Sequence, residues 1–182
     1  MQSDGSTLFR AAGRSALVSS AVSAIGVVSL VLLYVGFIAN VESLLIFGPI
    51  NDALIIVQYA LALPVAVAMH RILKPRSPKP SLVGMLVAFV GIGGVIVFQL
   101  LLLTGVMSFS EQIVYASTFL LVIGVWIVIT GFVGRGSGGF GFSIPTIVLG
   151  ASYLGYPLWI YRVGRYLLTH DQTMGSSSSV SV

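Results

Sequence analysis

Amide side chains are the most prominent polar groups within the long apolar runs of this sequence. Gln58 lies six residues, or ~9 Å at helical rise, from the start of one run, and Gln99 lies eight residues, or ~12 Å, from the end of the next. If consecutive runs are antiparallel helices, the two amides lie at similar depth near the same end. An amide both donates and accepts hydrogen bonds, so it can bind another amide or a ligand.

Hydroxyl, phenol and carboxylate groups are expected at the same end as the two amides. One interpretation is a hydrogen bond between Gln58 and Gln99, worth about 0.6 kcal/mol and at most about 2 kcal/mol, with no ligand. The other is an outward-facing polar pocket for a small molecule or cation. The candidate residues of that outer polar pocket are Asp52, Gln58, Gln99, Thr104, Glu111, Tyr115 and Tyr156.

Residues that carry catalysis or bind cofactors are scarce. The chain has five acids, two histidines and no cysteine, and no charged residue falls deep inside an apolar run. That absence argues against a proton-driven pump. The G-x-G-x-x-G match at 136–141 follows an apolar run rather than a strand, so it predicts a flexible turn and not a dinucleotide site. We expect no catalytic residue, no metal, no cofactor and no enzymatic activity.

Composition places the chain in a membrane. Hydrophobic residues make up 57% of its 182 positions and charged residues only 8%, against about 25% charged in soluble domains. So few charges cannot cover a surface in water, and the bilayer must solvate most of the chain. Nucleic-acid binding is not expected, because the net charge of +4 has no soluble basic face to carry it.

The apolar runs predict an all-α, polytopic transmembrane helical bundle. Five spans are expected, at about 15–39, 52–73, 81–107, 111–133 and 143–161. Residues 1–14 are predicted as a cytoplasmic tail, 15–168 as one bundle and 169–182 as a disordered tail. Ser108 and Glu111 have the spacing of a capping box at the start of the fourth helix.

A basic connector between the second and third spans sets the predicted orientation. Its topology-setting residues are Arg71, Lys74, Arg76 and Lys79. Short loops rich in Lys and Arg favour the cytoplasm. We therefore expect the N-terminus on the cytoplasmic side of the cell membrane and, after five spans, the C-terminus on the outer side. Seven basic residues then lie inside, and Arg162 and Arg165 lie outside. Binding of anionic headgroups by the connector is an alternative to a purely topological role.

Several short motifs from the second to the fifth span resemble a family of uncharacterised multi-pass bacterial membrane proteins of unknown function. The residues that carry the resemblance are Ala60-Leu-Ala-Leu63, Leu73-Lys-Pro75, Gly124-Val-Trp126, Gly131, Arg135, Ser137-Gly138, Gly150, Tyr153 and Tyr156-Pro157. The family implies a membrane-embedded bundle and supplies no activity or catalytic residues.

The expected function is that of a non-enzymatic integral membrane protein. It would be an accessory or packing subunit, or a small-ligand sensor. The alternative is a small transporter or channel component that acts as an oligomer. The expected partners are the lipid bilayer and other membrane subunits or further copies of the chain, with no nucleic acid.

Overall fold

The structure is a computed structural model that describes the backbone of residues 3–135 and 155–176 and the side chains of residues 7–134 and 155–169. It is an all-α helical bundle, as predicted. The described helices are α1 (Ser3–Ala39), a 3-10 turn (Glu42–Leu44), α2 (Phe47–Leu73), α3 (Pro78–Leu103), α4 (Phe109–Arg135) and α5 (Tyr156–Ser176).

Four of these helices are long and apolar enough to cross a membrane. The candidate spans within the described part of the chain are Thr7–Ala39, Glu42–Leu73, Pro78–Leu103 and Phe109–Gly134. They correspond to the first four predicted spans. Most of the predicted fifth span, residues 143–154, lies outside the described residues.

The first helix begins earlier than the sequence predicts. We expected a tail over 1–14, but α1 is helical from Ser3 onwards. Phe9 and Ala12 are buried in the core, and a Cβ on Gly13 would lie 2.7 Å from Leu168 Cγ in α5. The residues predicted as a cytoplasmic tail are therefore helical from Ser3, and α5 packs against them at Gly13.

Local sequence signals fix the ends of the middle helices. Gly105 adopts φ +71°, a left-handed conformation that ends α3 at little cost for a residue without a Cβ. Ser108 and Glu111 then form the predicted capping box. The Ser108 N–H donates to Glu111 Oε2 at 3.0 Å, and the Glu111 N–H donates back to Ser108 Oγ at 3.4 Å.

The helices pack in the order α5, α1, α2, α3, α4, with small residues at the contacts. A Cβ on Gly91 of α3 would lie 2.8 Å from Ile123 Cγ1 of α4, so this close approach requires glycine. Without water to drive association, such backbone proximity is what lets membrane helices gain packing energy. Trp126 of α4 and Trp159 of α5 meet edge to face, with ring centroids 5.4 Å apart.

The direction of α5 corrects the predicted topology. Ser20 Oγ donates to the Pro157 carbonyl at 2.8 Å near the start of α5, whereas Leu168 lies against Gly13. The last turns of α5 therefore lie beside the first turns of α1. Burial raises the pKa of Tyr166, and the nearby positive charge of Arg76 opposes that rise, which places this part of α5 next to the basic connector.

The prediction that the two ends of the chain lie at opposite ends of the bundle is therefore wrong for the described residues, and so is the separation of Arg162 and Arg165 from the other basic residues. The physical reason is the apolar face of α5. Its buried residues are Tyr156, Trp159, Ile160, Val163 and Leu167. That face packs into the core instead of lying along the membrane surface. α5 also stays helical to Ser176, where the sequence predicts a disordered tail from 169.

Candidate functional site

A cavity of about 480 Å³ lies at the end of the bundle opposite the basic connector. It is half open, and it is bordered by the last turns of α1, the turn after it, the start of α2, the end of α3 and the start of α4. The lining residues are Leu30, Leu33, Tyr34, Phe37, Leu45, Gly48, Pro49, Asn51, Asp52, Leu102, Leu103 and Phe109. Pockets for small molecules have volumes of about 300–1,000 Å³ and mostly apolar walls with a few polar groups, as here.

The sequence around the α1–α2 turn shapes one side of this cavity. Asn40 adopts φ 53°, a left-handed conformation that Asn tolerates better than most residues, and it reverses the chain directly after α1. The second helix then begins at Phe47, five residues before the predicted start, with Pro49 in its first turn. Asp52 consequently lies in the second turn of α2, on the wall of the cavity.

Asp52 is the acceptor at one end of a chain of side-chain hydrogen bonds. Gln99 Nε2 of α3 donates to Asp52 Oδ1 at 2.6 Å. Gln112 Nε2 of α4 in turn donates to Gln99 Oε1. Both amides are buried, at 2% and 5% exposure, while Asp52 is half-buried. We call these three residues the acid-end relay, since they connect the cavity to three helices.

The charge around the cavity has one sign. The described acids with described side chains are Glu42, Asp52 and Glu111, and all three belong to this end of the bundle. Every Lys and Arg with a described side chain is exposed and lies in the other half. These residues are Arg10, Arg14, Arg71, Lys74, Arg76, Lys79, Arg162 and Arg165. Asp52 therefore has no basic neighbour among the described side chains.

The proposed pair of Gln58 and Gln99 is not formed. Gln58 is 1% exposed, and neither polar atom of its side chain has a hydrogen-bond partner in the described chain. Its backbone carbonyl accepts from Ser19 Oγ at 2.8 Å, and the same hydroxyl lies 3.5 Å from Tyr156 Oη. Gln58 of α2 and Tyr156 of α5 therefore both lie against Ser19 of α1, away from the acid-end relay.

The other predicted pocket residues lie on the surface. Thr104 Oγ1 donates to the Leu100 carbonyl of its own helix, and Glu111 is occupied by the capping box. Tyr115 stacks on Phe98 with ring centroids 4.7 Å apart. Of the seven predicted residues, Asp52 and Gln99 are thus the pair that the structure joins at the cavity.

Gln112 is the residue that the sequence analysis missed. It follows the cap residue Glu111 directly, a position typical of an exposed first turn, yet it is buried. The sequence could have indicated its role, because Gln112 is a third amide at the same end of the bundle and can donate a hydrogen bond to Gln99. The apolar cavity walls gave no such signal, because leucines and aromatics occur throughout the chain.

The basic end also contains a polar contact. His70 Nδ1 lies 3.1 Å from Ser81 Oγ, which donates to the Pro78 carbonyl at 3.1 Å. A void of about 10 Å³ beside it has room for about one water molecule. Within the described ranges, no group of three or more His, Cys, Asp or Glu side chains could hold a metal ion.

Comparison with protein-family models, with curated proteins and with solved structures finds no match to the chain. The resemblance to uncharacterised bacterial membrane proteins stays a prediction. The cavity presents the carboxylate of Asp52, the amide of Asn51 and the phenol of Tyr34 among mostly apolar lining residues.

Proposed function

We propose that the chain is a non-enzymatic integral membrane protein that binds a small molecule in the cavity between α1, α2, α3 and α4, in the manner of a small-ligand sensor. The observation that carries this proposal is the cavity of about 480 Å³ with the carboxylate of Asp52 in its wall. The apolar lining would take the body of the ligand, and Asp52 would fix its orientation.

The acid-end relay supports a sensing role. Asp52 belongs to α2, Gln99 to α3 and Gln112 to α4. A ligand that binds Asp52 would therefore change hydrogen bonds that connect three helices. A ligand changes a protein only as far as it favours one arrangement over another. A ligand that replaced Gln99 as the hydrogen-bond donor to Asp52 would therefore favour a different arrangement of these helices.

We place the protein in the cell membrane with the basic end towards the cytoplasm. All eight described basic side chains lie in the half of the bundle that contains the α2–α3 connector, and α4 ends at Arg135 in the same half. The preference of Lys and Arg for the cytoplasmic side then puts the cavity on the outer side. Both the start of α1 and the end of α5 would be cytoplasmic.

A transporter or channel component is the second candidate. It is favoured by the buried polar side chains of Ser19, Ser23 and Gln58, which lie one to three turns deeper than the cavity along α1 and α2. A path through the protein would need further copies of the chain or other subunits. A symmetric oligomer with a water-filled axis would support this candidate over the sensor.

The test of ligand binding uses two small aromatic probes, phenyltrimethylammonium and tert-butylbenzene, with the protein in lipid nanodiscs. Equilibrium dialysis against protein-free nanodiscs removes the contribution of lipid partitioning. Leu33→Trp fills the cavity, and Leu121→Trp, on a side chain that is 74% exposed on α4, is the matched control. We expect saturable binding that Leu33→Trp abolishes and Leu121→Trp leaves unchanged. No saturable binding of either probe to the wild type would contradict the proposed function.

A further inference from the structure

We propose that the ligand of the cavity is an organic cation with an apolar body, such as an alkyl or aryl ammonium, whose charge lies against Asp52. This inference rests on the proposed function and names the class of ligand that the site selects.

The first argument is the direction of the hydrogen bonds in the acid-end relay. An ionised carboxylate only accepts hydrogen bonds, so Gln99 must turn its N–H₂ group towards Asp52. The amide oxygen of Gln99 then points away and accepts from Gln112. Gln112 thus donates to Gln99, Gln99 donates to Asp52 Oδ1, and Oδ2 has no partner among the described residues. A ligand therefore meets an acceptor, which a donor or a cation satisfies.

The second argument is the sign of the charge. The described side chains of Glu42, Asp52 and Glu111 give this end of the bundle only negative charge, while the described basic side chains lie in the opposite half. An anion in the cavity would be repelled by Asp52 with no cation to offset the repulsion. Interactions between charges are also stronger near low-dielectric walls than in water.

The third argument is the lining of the cavity. Tyr34, Phe37 and Phe109 line the cavity with aromatic rings that are each more than half exposed, and most of the other lining residues are apolar. The face of an aromatic ring attracts a cation. A small inorganic ion would need several oxygen ligands around it, and it would not need a cavity of this volume. The combination of one carboxylate, aromatic rings and about 480 Å³ of mostly apolar space fits an ammonium group that carries a hydrophobic substituent.

The ammonium could come from two sources. The cavity lies at the end of the membrane-spanning candidates, where lipid headgroups are also found, so a choline headgroup and a free amphipathic ammonium have the same chemistry. Nanodiscs of phosphatidylglycerol contain no ammonium, whereas nanodiscs of phosphatidylcholine contain a competing one. Weaker probe binding in phosphatidylcholine would support the proposal with a lipid headgroup as ligand, and equal binding would support it with a free cation.

The decisive experiment compares phenyltrimethylammonium with tert-butylbenzene, which have the same shape and differ in charge. In phosphatidylglycerol nanodiscs, we expect the Asp52→Asn substitution to weaken binding of the cation at least tenfold and to leave binding of the neutral probe within twofold. Glu111→Gln is the matched control, because Glu111 lies at the same end but outside the cavity lining, and a glutamine also fits a capping box.

The outcomes separate this inference from the proposed function. If both probes bind and Asp52→Asn changes neither, the cavity is a binding site and the cation inference is wrong. If Glu111→Gln weakens the cation as much as Asp52→Asn does, general surface charge accounts for the effect and the inference is again overturned. If neither probe binds saturably to the wild type, the proposed function itself fails.

Discussion

The two ends of the bundle use polar residues in opposite ways. At the basic end, the charged side chains are numerous and exposed. At the acid end, charged residues are few, but one of them, Asp52, is half-buried on the wall of a cavity. It accepts a hydrogen bond from the buried amide of Gln99, which in turn accepts one from Gln112. Many exposed charges set the orientation of a membrane protein, whereas a single supported carboxylate can select a ligand.

The largest expected effect concerns which groups share a side of the membrane. The chain has no cysteine, so single cysteines introduced as Thr7→Cys, Thr169→Cys and Thr104→Cys can be labelled individually in intact vesicles. Because α5 runs back beside α1, a membrane-impermeant maleimide should reach positions 7 and 169 from one side and position 104 from the other. Labelling of positions 169 and 104 from the same side would contradict the conclusion that the end of α5 and the end of α3 lie on opposite sides of the membrane.

The next effect is on stability at the acid end. Gln112→Leu removes the donor to Gln99 and leaves a buried carbonyl oxygen unpaired, which costs about 1–3 kcal/mol. Ser81→Ala removes the contact with His70 at the basic end, where the hydrogen bond contributes about 1 kcal/mol. Unfolding in mixed detergent micelles should therefore show the larger loss for Gln112→Leu. An equal or larger loss for Ser81→Ala would mean that the relay is not the more important of the two contacts.

A gain in stability is expected between the two ends. Gln58 is buried with an unpartnered side chain in the described structure, so Gln58→Leu, which removes the polar group at similar volume, should stabilise the protein by about 1–2 kcal/mol. The same unfolding assay measures it, with Leu63→Met on the same helix as a conservative control. A loss of stability would show that Gln58 has a partner, and would favour the transport candidate.

The smallest effect is expected at the exposed cap of α4. Glu111→Gln keeps both capping hydrogen bonds, and the side chain is exposed, so the free energy of unfolding should change by less than about 0.5 kcal/mol. A change above 1 kcal/mol would mean that the charge of Glu111 is coupled to the acid-end relay.

Much of this architecture follows from the sequence, and the exceptions have physical causes. Apolar length and turn chemistry predict α2, α3 and α4, and the capping box is found where Ser108 and Glu111 place it. The joint pocket was predicted from depth alone. Asp52 and Gln58 are six residues apart, which separates them by about 120° around the helix, so they cannot face one neighbour together.

The direction of α5 could not be obtained in the same way. Arg162 and Arg165 make its outer face polar, and a polar face beside apolar residues is typical of a helix on the membrane surface as well as of one packed in a bundle. The decisive contacts, such as Gly13 with Leu168, join residues that are far apart in sequence. Gln112 was missed for a related reason, since its burial depends on how α4 rotates against α3.

The most direct test of the ligand site is a crystal structure of the protein with 4-bromophenyltrimethylammonium, in which bromine marks the ligand by its anomalous scattering. We predict one bromine peak among the apolar residues of the cavity, with the ammonium group within about 4–5 Å of the Asp52 carboxylate, and no such peak in crystals of Asp52→Asn. An empty cavity in the wild type, or a bromine peak that is unchanged in Asp52→Asn, would contradict the account.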